Sequence, residues 1–457
     1  MFTYAVLALG FIVGLWLVLV KERWYPAFYI IYSIPVASEM LNTYFSRLET
    51  TDAAGIGGVN VGGININASI PLVITAFVGI FKNLLVPGRV NRMLSPCGYV
   101  VLATFFIGVV KVAISLNEGL EFIPVIGDFS RSYSYYFFAM WLVLSTGSVA
   151  EIVDRTRIAF LWAPLLTLGI SLFIMVRYSL YNFFSQEIGV RFCTSSAGLL
   201  ILFGAISMFV LYGNIKYAWW RLLLFFTYSF VALISNHRSV WLAALVTMIA
   251  YSVLNAFGYV GKRNNTTRVL YPLIGVLGVI SLLLVATTDI ADTFVGRETG
   301  AAIRGRSLAF ISPTDDANAS FRSDRWEFLL ARVEDRWLFG LDLGEHSTMG
   351  ADVGRYTLIA HNMYVDLYVR KGIVSFLMYL ALMIIFIKNM HGTLINSADN
   401  SDTRVVAGYL AIACIAGHAF YVAYNDEYTV IYILLSGILL GTMFDRERRM
   451  RRLNRLM

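Results

Sequence analysis

The chain has 457 residues, of which 58% are hydrophobic and only 14% are charged, and its net charge is +7. This composition excludes an ordinary soluble domain and predicts repeated crossings of a bilayer. The apolar runs are unbroken for about 17 to 21 residues, the length of a spanning helix, which excludes a barrel of alternating segments. We therefore predict an all-α, polytopic integral membrane protein. The positive charge lies in loops and the tail, so no nucleic-acid partner is expected.

The first apolar run, from Phe2 to Val20, has basic residues after it and none before it. This order is the reverse of a signal peptide and predicts a retained span. We count about thirteen spans, within a range of about 12 to 14 transmembrane helices, in a single domain over 1–457. The predicted windows are 2–20, 25–45, 68–86, 97–116, 133–153, 158–176, 196–213, 219–235, 239–257, 270–287, 372–388, 404–423 and 427–444.

Basic residues between the predicted spans indicate the orientation, because Lys and Arg accumulate on the cytoplasmic side of membrane proteins. Under strict alternation the basic clusters fall on one face, so the C-terminal tail is predicted to be cytoplasmic and the large polar loop at 288–371 to face outward. This orientation depends most on the pair of spans joined at 235–238. The clusters are Lys82, Arg89 and Arg92; Arg155 and Arg157; Lys216 and Arg221; Lys262, Arg263 and Arg268; and the tail from Arg446 to Arg455.

Short helices are predicted within the large loop, and the clearest one runs from Ser320, a typical N-cap residue, to Gly340, a typical stop. Its four arginines fall within an arc of roughly 80°, next to an apolar arc. Guanidinium groups beside an apolar face suit an anionic headgroup with a lipid tail, because arginine binds phosphate oxygens in pairs. Pairing with acidic residues of the loop is the alternative for each arginine. The arginines are Arg322, Arg325, Arg332 and Arg336, and the apolar arc holds Trp326, Leu330, Val333 and Trp337.

Two further arginines, Arg191 and Arg238, stand at the outer ends of predicted spans. A cation with so little loop around it is costly unless it has a partner or lines a cavity. Snorkelling to the interface is the alternative for Arg191, whereas a functional role is favoured for Arg238.

His361 follows directly on the polar loop and opens a predicted span. An imidazole titrates near neutrality and can take a proton from an attacking hydroxyl, so His361 is a candidate general base. Asn362 is placed to orient the imidazole or the substrate, and Tyr364 lies on the same helical stripe. A histidine bonded to a neighbouring helix is the alternative. Asp366 is expected to pair with Arg370 at i+4 rather than with the imidazole.

Other ionisable residues are weaker candidates. His418 lies inside a predicted span, where we expect it to bond to a neighbour. Lys111 and Glu39 lie within predicted spans, yet near enough to span ends to reach water. The aspartates of the loop have no recognisable ligand spacing, so we expect no metal and no cofactor.

Taken together, these motifs resemble the O-antigen ligase and polysaccharide polymerase family of bacterial inner membranes. The resemblance extends from Arg191 to the C-terminus, and the earlier part of the chain is similar only in being hydrophobic. It is carried by His361-Asn362, nine intervening residues and Gly372; by Arg325-Trp326-Glu327-Phe328 leading to Phe339-Gly340-Leu341-Asp342-Leu343-Gly344; by Ser235-Asn236-His237-Arg238; and by Arg191.

The resemblance implies a GT-C-like, inverting and metal-independent glycosyltransferase that acts at the periplasmic face. Its implied donor is an undecaprenyl-pyrophosphate-linked glycan, its acceptor is another glycan, and membrane lipids and a chain-length-regulating protein are further candidate partners. Arg191, Arg238 and Arg325 would hold the pyrophosphate and His361 would be the general base. Arg322, Arg332, Arg336, Asn362 and Tyr364 are candidates for further substrate contacts.

Position 375 bears on which reaction of the family is expected. The ligase motif has Gly, Thr or Tyr three residues after its glycine, and Ser375 stands there instead. This difference favours a polymerase of O-antigen or exopolysaccharide repeats over a ligase that transfers the glycan to lipid A core. A transporter of lipid-linked sugars is the alternative from another class. Repeated halves with broken helices at mid-membrane, which are typical of transporters, do not occur in the sequence.

Overall fold

The computed structural model describes part of the chain. The described residues are 12–16, 18–20, 58–61, 64–67, 69–178, 195–212, 218–234, 238–260, 317–344, 360, 362–397, 401–422 and 428–456. The predicted spans at 25–45 and 270–287 lie outside these residues, as does most of the span at 2–20.

The regular elements of the described part are helices and one short antiparallel hairpin, in which β1 (Gly58–Val61) pairs with β2 (Ile64–Asn67). Short 3-10 turns occupy Val90–Leu94 and Glu334–Arg336. The α-helices of this part are α1 (Ser69–Leu84), α2 (Pro96–Asn117), α3 (Phe122–Ser145), α4 (Val149–Tyr178), α5 (Ser195–Val210), α6 (Ala218–Ile234), α7 (Arg238–Ala256), α8 (Ala317–Arg332), α9 (Met363–Asn396), α10 (Ser401–Tyr421) and α11 (Tyr428–Leu456).

All of these α-helices except α8 coincide with a predicted span, so the prediction of a polytopic, all-helical membrane protein is confirmed. A bilayer forces this outcome, because a backbone in hydrocarbon must satisfy its own polar groups within the segment. Within the described residues, five stretches are long and apolar enough on their own to cross a membrane. They are Pro96–Asn117, Ser239–Ala256, Met363–Asn396, Asp402–Tyr421 and Thr429–Asn454.

One predicted boundary is wrong, because the window at 133–153 runs across a break between two helices. α3 ends at Ser145 and α4 begins at Val149. The Ser148 hydroxyl accepts a hydrogen bond from the Glu151 N–H at 3.2 Å, and the Glu151 carboxylate accepts one from the Gly147 N–H at 2.7 Å. This reciprocal capping starts a new helix inside a stretch that hydrophobicity alone reads as continuous.

Basic clusters from distant parts of the sequence meet at one end of the helix bundle, which we call the basic end. Arg92 donates to the Leu144 carbonyl at the end of α3, at 2.9 Å. Arg157 in α4 pairs with Asp402 at the start of α10, also at 2.9 Å. The Tyr212 hydroxyl, just after α5, donates to the Arg157 carbonyl at 2.9 Å. We call the opposite end, where α2 ends and α9 begins, the loop end.

The helices α6 and α7 are the two spans predicted on either side of 235–238. In both helices the end farther from 235–238 lies at the basic end. Arg221, in the first turn of α6, donates to the Tyr212 carbonyl at 3.1 Å. Arg404 of α10 donates to the Gly258 carbonyl just after α7. The first residue of α7, Arg238, therefore lies at the loop end.

The interior of the bundle is filled by aromatic side chains of α3, α4, α10 and α11. Tyr133, Trp141, Phe160, Tyr409 and Tyr432 are almost completely buried. The ring centroids of Phe160 and Tyr409 lie 4.9 Å apart, and those of Phe160 and Tyr432 lie 6.0 Å apart. Lipid tails are as apolar as the side chains, so burial away from lipid gives no hydrophobic driving force. Within a membrane, close packing of this kind therefore holds helices together.

Candidate active site at the loop end

The helix α8 carries the predicted arginine face, but its bounds differ from the prediction. It begins at Ala317, so Ser320 lies inside the helix and is not its N-cap. The three residues directly before Ser320 contain neither Gly nor Pro, and two of them are Ala, the best helix former, which extends the helix backward. The helix also ends early, at Arg332, where Val333 has a φ of −102° and a 3-10 turn follows.

Packing against α9 explains the early end of α8. Leu329 and Val333 are fully buried and form one apolar cluster with Leu341 and Val369, against which Trp326 packs. A continuous helix would carry the chain away from α9, whereas the turn brings Leu341 back onto it. The apolar face toward α9 is therefore formed by Trp326 and Leu329 of α8 and by Val333 just after it.

Two members of the predicted apolar arc do not belong to this face. The side chain of Leu330 is 43% exposed, and that of Trp337 is 53% exposed. At the loop end of a membrane protein, exposed apolar and tryptophan side chains are typical of the lipid–water interface. These two residues therefore face outward rather than toward α9.

A hydrogen bond joins the arginine helix to the segment that carries His361. The indole Nε1 of Trp326 donates to the Ala360 carbonyl at 2.7 Å. Arg325 precedes Trp326 and is only 4% exposed, and His361 follows Ala360. His361 itself lies outside the described residues. The structure thus brings the residue next to Arg325 into contact with the residue next to His361.

The other arginines of the predicted face are in different settings. Because the helix ends at Arg332, Arg336 does not lie on the arginine face. It forms an ion pair with Asp342, and its guanidinium lies 3.9 Å from the Glu118 carboxylate. Pairing with acidic residues, the alternative reading of the sequence, therefore holds for Arg336. Arg332 is half-buried in the last turn of α8, and the side chain of Arg322 lies outside the described part.

Asn362 begins α9 as its N-cap. Its side-chain oxygen accepts hydrogen bonds from the backbone N–H groups of Tyr364 at 2.9 Å and Val365 at 3.3 Å. Asparagine is among the preferred N-cap residues, so this signal was present in the sequence. The carboxamide oxygen is thus engaged in starting the helix, and a role of Asn362 in orienting the imidazole or the substrate stays a prediction.

Two other contacts predicted from the sequence are confirmed, one within α9 and one between α9 and α10. Asp366 pairs with Arg370 at 3.0 Å, as the i+4 spacing predicts. His418 bonds to a neighbouring helix, since its Nε2 lies 2.9 Å from the Tyr379 hydroxyl and its Nδ1 lies 2.7 Å from the carbonyl oxygen of Cys414 in its own helix. Tyr364 is half-buried, with its ring centroid 6.4 Å from that of His418.

The motif glycine Gly372 bends α9 sharply, with a φ of 73° and a ψ of 177°. At this bend the backbones of two motifs touch. The Leu341 N–H donates to the Val369 carbonyl at 2.8 Å, and the Ile373 N–H donates to the Trp337 carbonyl at 2.9 Å. A Cβ at Gly340 would lie 2.7 Å from the Gly372 nitrogen. The two glycines therefore allow the loop and α9 to meet backbone to backbone.

We predict that Gly372→Ala disrupts this junction. Its Cβ would lie 2.2 Å from the Leu338 carbonyl oxygen, and its φ is positive. We expect the free energy of unfolding to fall on the order of 2–4 kcal/mol from strain and overpacking. Thermal unfolding in detergent measures this loss. The matched control is Gly392→Ala in the same helix, where a Cβ would meet nothing within 4 Å; equal loss in both variants would contradict the prediction.

Lys111 is placed differently from the expectation that it could reach water. Its side chain is 2% exposed, and its Nζ donates to the backbone carbonyls of Phe339, Leu341 and Arg370. Lys111 thus holds the loop and α9 together. The sequence placed Lys111 among the weaker candidates and gave no sign of these contacts. Glu39, the other ionisable residue predicted within a span, lies outside the described residues.

The remaining predicted pyrophosphate ligands are described only in part. Arg238 begins α7 at the loop end, the same end as Arg325 and Asn362. Its side chain lies outside the described part, as does the whole of Arg191. Arg238, Arg325 and Asn362 thus share one end of the bundle, and a contact is established between α8 and Ala360, just before α9.

The fold and this arrangement define a polytopic helical membrane protein with polar motifs gathered at one end of the bundle. Residues 223–380 of the chain match the family model described as O-antigen ligase. The predicted resemblance to the O-antigen ligase and polymerase family is thereby confirmed over about a third of the chain, which includes Arg238, Arg325, His361 and Gly372. The match supports an enzyme of O-antigen ligase or polymerase type. A comparison with curated proteins found no significant match to the chain.

Proposed function

We propose that this protein is an inverting, metal-independent glycosyltransferase that takes a glycan from an undecaprenyl-pyrophosphate carrier. The observation that supports this best is the hydrogen bond from Trp326 to the Ala360 carbonyl. Through it, a buried arginine and a histidine, Arg325 and His361, stand next to the two partners of one contact. A cation for the leaving group and a base for the acceptor are the two groups that this transfer requires.

The reaction is a single displacement at the anomeric carbon. The acceptor oxygen forms a bond to this carbon while the carbon–oxygen bond to the pyrophosphate breaks, which inverts the configuration. His361 takes the proton of the acceptor hydroxyl. Arg191, Arg238 and Arg325 stabilise the negative charge that develops on the pyrophosphate, and such preorganised cations act most strongly where water is excluded.

We place the site at the periplasmic face of the bacterial inner membrane and the basic end in the cytoplasm. Lysine and arginine accumulate on the cytoplasmic side of membrane proteins. The C-terminal helix α11 supports this placement, because its last part lies at the basic end. There the Glu447 carboxylate accepts a hydrogen bond from the Val149 N–H at 3.2 Å. In this proposal the polar loop at 288–371 is the periplasmic part of a single transmembrane domain.

The favoured reaction is polymerisation, in which the acceptor is another lipid-linked glycan. Ser375 supports it, since this buried serine of α9 stands where the ligase motif has Gly, Thr or Tyr. The description of the matching family model favours the second candidate, a ligase that transfers the glycan to lipid A core. A chain-length-regulating protein is a further partner of the polymerase proposal.

We predict that purified protein given lipid-linked repeat units alone makes longer lipid-linked chains. Product length is measured by gel electrophoresis or mass spectrometry, with a His361→Ala preparation as the blank. A polymerase elongates the repeats without another acceptor, because donor and acceptor are two molecules of the same lipid-linked repeat. Product that forms only after lipid A core is added would overturn the polymerase assignment and establish the ligase instead.

A further inference from the structure

The loop that follows α8 descends between the helices instead of lying over them. It bonds to Lys111, six residues before the end of α2, and to Asp128, six residues after the start of α3. At 1.5 Å per residue, the backbone positions of Lys111 and Asp128 lie about 9 Å below the helix ends. Non-helical backbone at such a depth is stable only where protein groups satisfy its polar atoms.

Three buried side chains of α2 and α3 satisfy this backbone, and we call them the polar clamp: Lys111, Ser115 and Asp128. The Ser115 hydroxyl accepts from the Leu343 N–H at 2.9 Å, and an Asp128 carboxylate oxygen accepts from the Gly344 N–H at 2.8 Å. The members of the clamp are 2%, 0% and 6% exposed, respectively. The clamp therefore fixes the loop to α2 and α3.

Lys111 differs from the other two members because it also reaches α9. Its Nζ lies 2.8 Å from the Phe339 carbonyl oxygen, 2.7 Å from that of Leu341 and 2.5 Å from that of Arg370. Phe339 and Leu341 flank the glycine of the loop, and Arg370 stands just before the bend of α9. An ammonium group has three donors and matches three converging carbonyls, which offsets the cost of burying its charge.

We infer that Lys111 is a positioning residue for glycosyl transfer. It locks the loop onto the bend of α9, and α8 and the start of α9 are the elements that present Arg325 and His361. Lys111 thus sets the separation between the two groups without touching substrate. The inference rests on the proposed function for its effect on activity. It also makes α2, which lies outside the residues matched by the family model, part of the site.

The test replaces Lys111 by methionine in the full-length protein and measures hydrogen exchange together with transfer kinetics. Methionine keeps the length and the apolar stem but removes the three donors. We expect exchange of the Leu341 and Ile373 amides, which bond across the junction, to accelerate at least tenfold. We expect kcat to fall at least tenfold with little change in KM, because the misplaced groups act in the transition state. Lys111→Arg should restore kcat only partly, since a planar guanidinium cannot direct its donors to the same three oxygens.

The matched control is Lys82→Met. Lys82 of α1 also donates to backbone carbonyls, those of Val18 at 3.1 Å and Leu19 at 3.2 Å, away from the loop. We expect the Leu341 and Ile373 amides and kcat to stay as in the wild type. Ser115→Ala keeps the test decisive should Lys111→Met not fold, because it removes one bond to the loop and should accelerate exchange of the Leu343 amide together with a smaller fall in kcat.

Two outcomes would overturn the inference. Unchanged exchange across the junction in Lys111→Met shows that the lysine does not hold it. Faster exchange with an unchanged kcat shows that the lysine is structural and does not position the site. A wild-type protein that transfers no glycan defeats the proposed function, and the exchange data then still decide whether Lys111 holds the loop.

Discussion

Replacing His361 by alanine is expected to abolish glycan transfer, with kcat falling by about 10² to 10⁴-fold, the usual contribution of a general base. The acceptor hydroxyl is a weak nucleophile until its proton is removed. Ala360, which the Trp326 indole holds, fixes the backbone directly before His361. Transfer from a purified lipid-linked donor, normalised to folded protein, measures the effect.

The control for this variant is His391→Ala, which removes an exposed histidine of α9, the helix that begins just after His361, toward the basic end. We expect its transfer rate and its amount of folded protein to equal those of the wild type. Product chains of near-normal length and yield from His361→Ala would remove the histidine from the mechanism. A parallel loss of folded protein in His361→Ala alone would instead indicate a structural role.

The helices of this protein were predictable from the sequence because the membrane leaves the backbone few alternatives. Apolar runs of about twenty residues became helices wherever the structure describes them. The error at Gly147 arose because hydrophobicity was averaged across a short capping signal. Ser148 and Glu151, three residues apart, form that signal and were readable.

Local side-chain pairs of the site were also predictable, whereas contacts between distant segments were not. The pairing of Asp366 with Arg370 follows from one turn of helix. Lys111 bonds to carbonyls 228 to 259 residues away. Every residue has a backbone carbonyl, so the identity of the partner residues gives no sign of the contact. No local pattern could therefore reveal this contact. Arg336 was misplaced for a related reason, since contact with α9 ends the helix before it.

Replacing Arg325 by alanine is expected to lower kcat/KM by about 30 to 1,000-fold, or about 2–4 kcal/mol of transition-state stabilisation, as for the loss of one preorganised anion-binding donor. The side chain is 4% exposed, so its charge acts in a setting of weak screening. Arg325→Lys should recover only part of the loss, because an ammonium group cannot bind two phosphate oxygens with a planar fork. Steady-state kinetics with a lipid-linked donor provide the measurement.

The decisive comparison for Arg325 is with another buried arginine far from the site. Arg155 is 2% exposed and bonds to Glu151 and Ser145 at the basic end. Arg155→Ala should lower the unfolding temperature, because it leaves buried partners unsatisfied, while kcat/KM per folded molecule stays unchanged. Arg325→Ala should show the opposite pattern, with kcat/KM falling by far more than its stability change explains. Equal kcat/KM in the two variants would mean that the Arg325 guanidinium has no contact with the departing pyrophosphate.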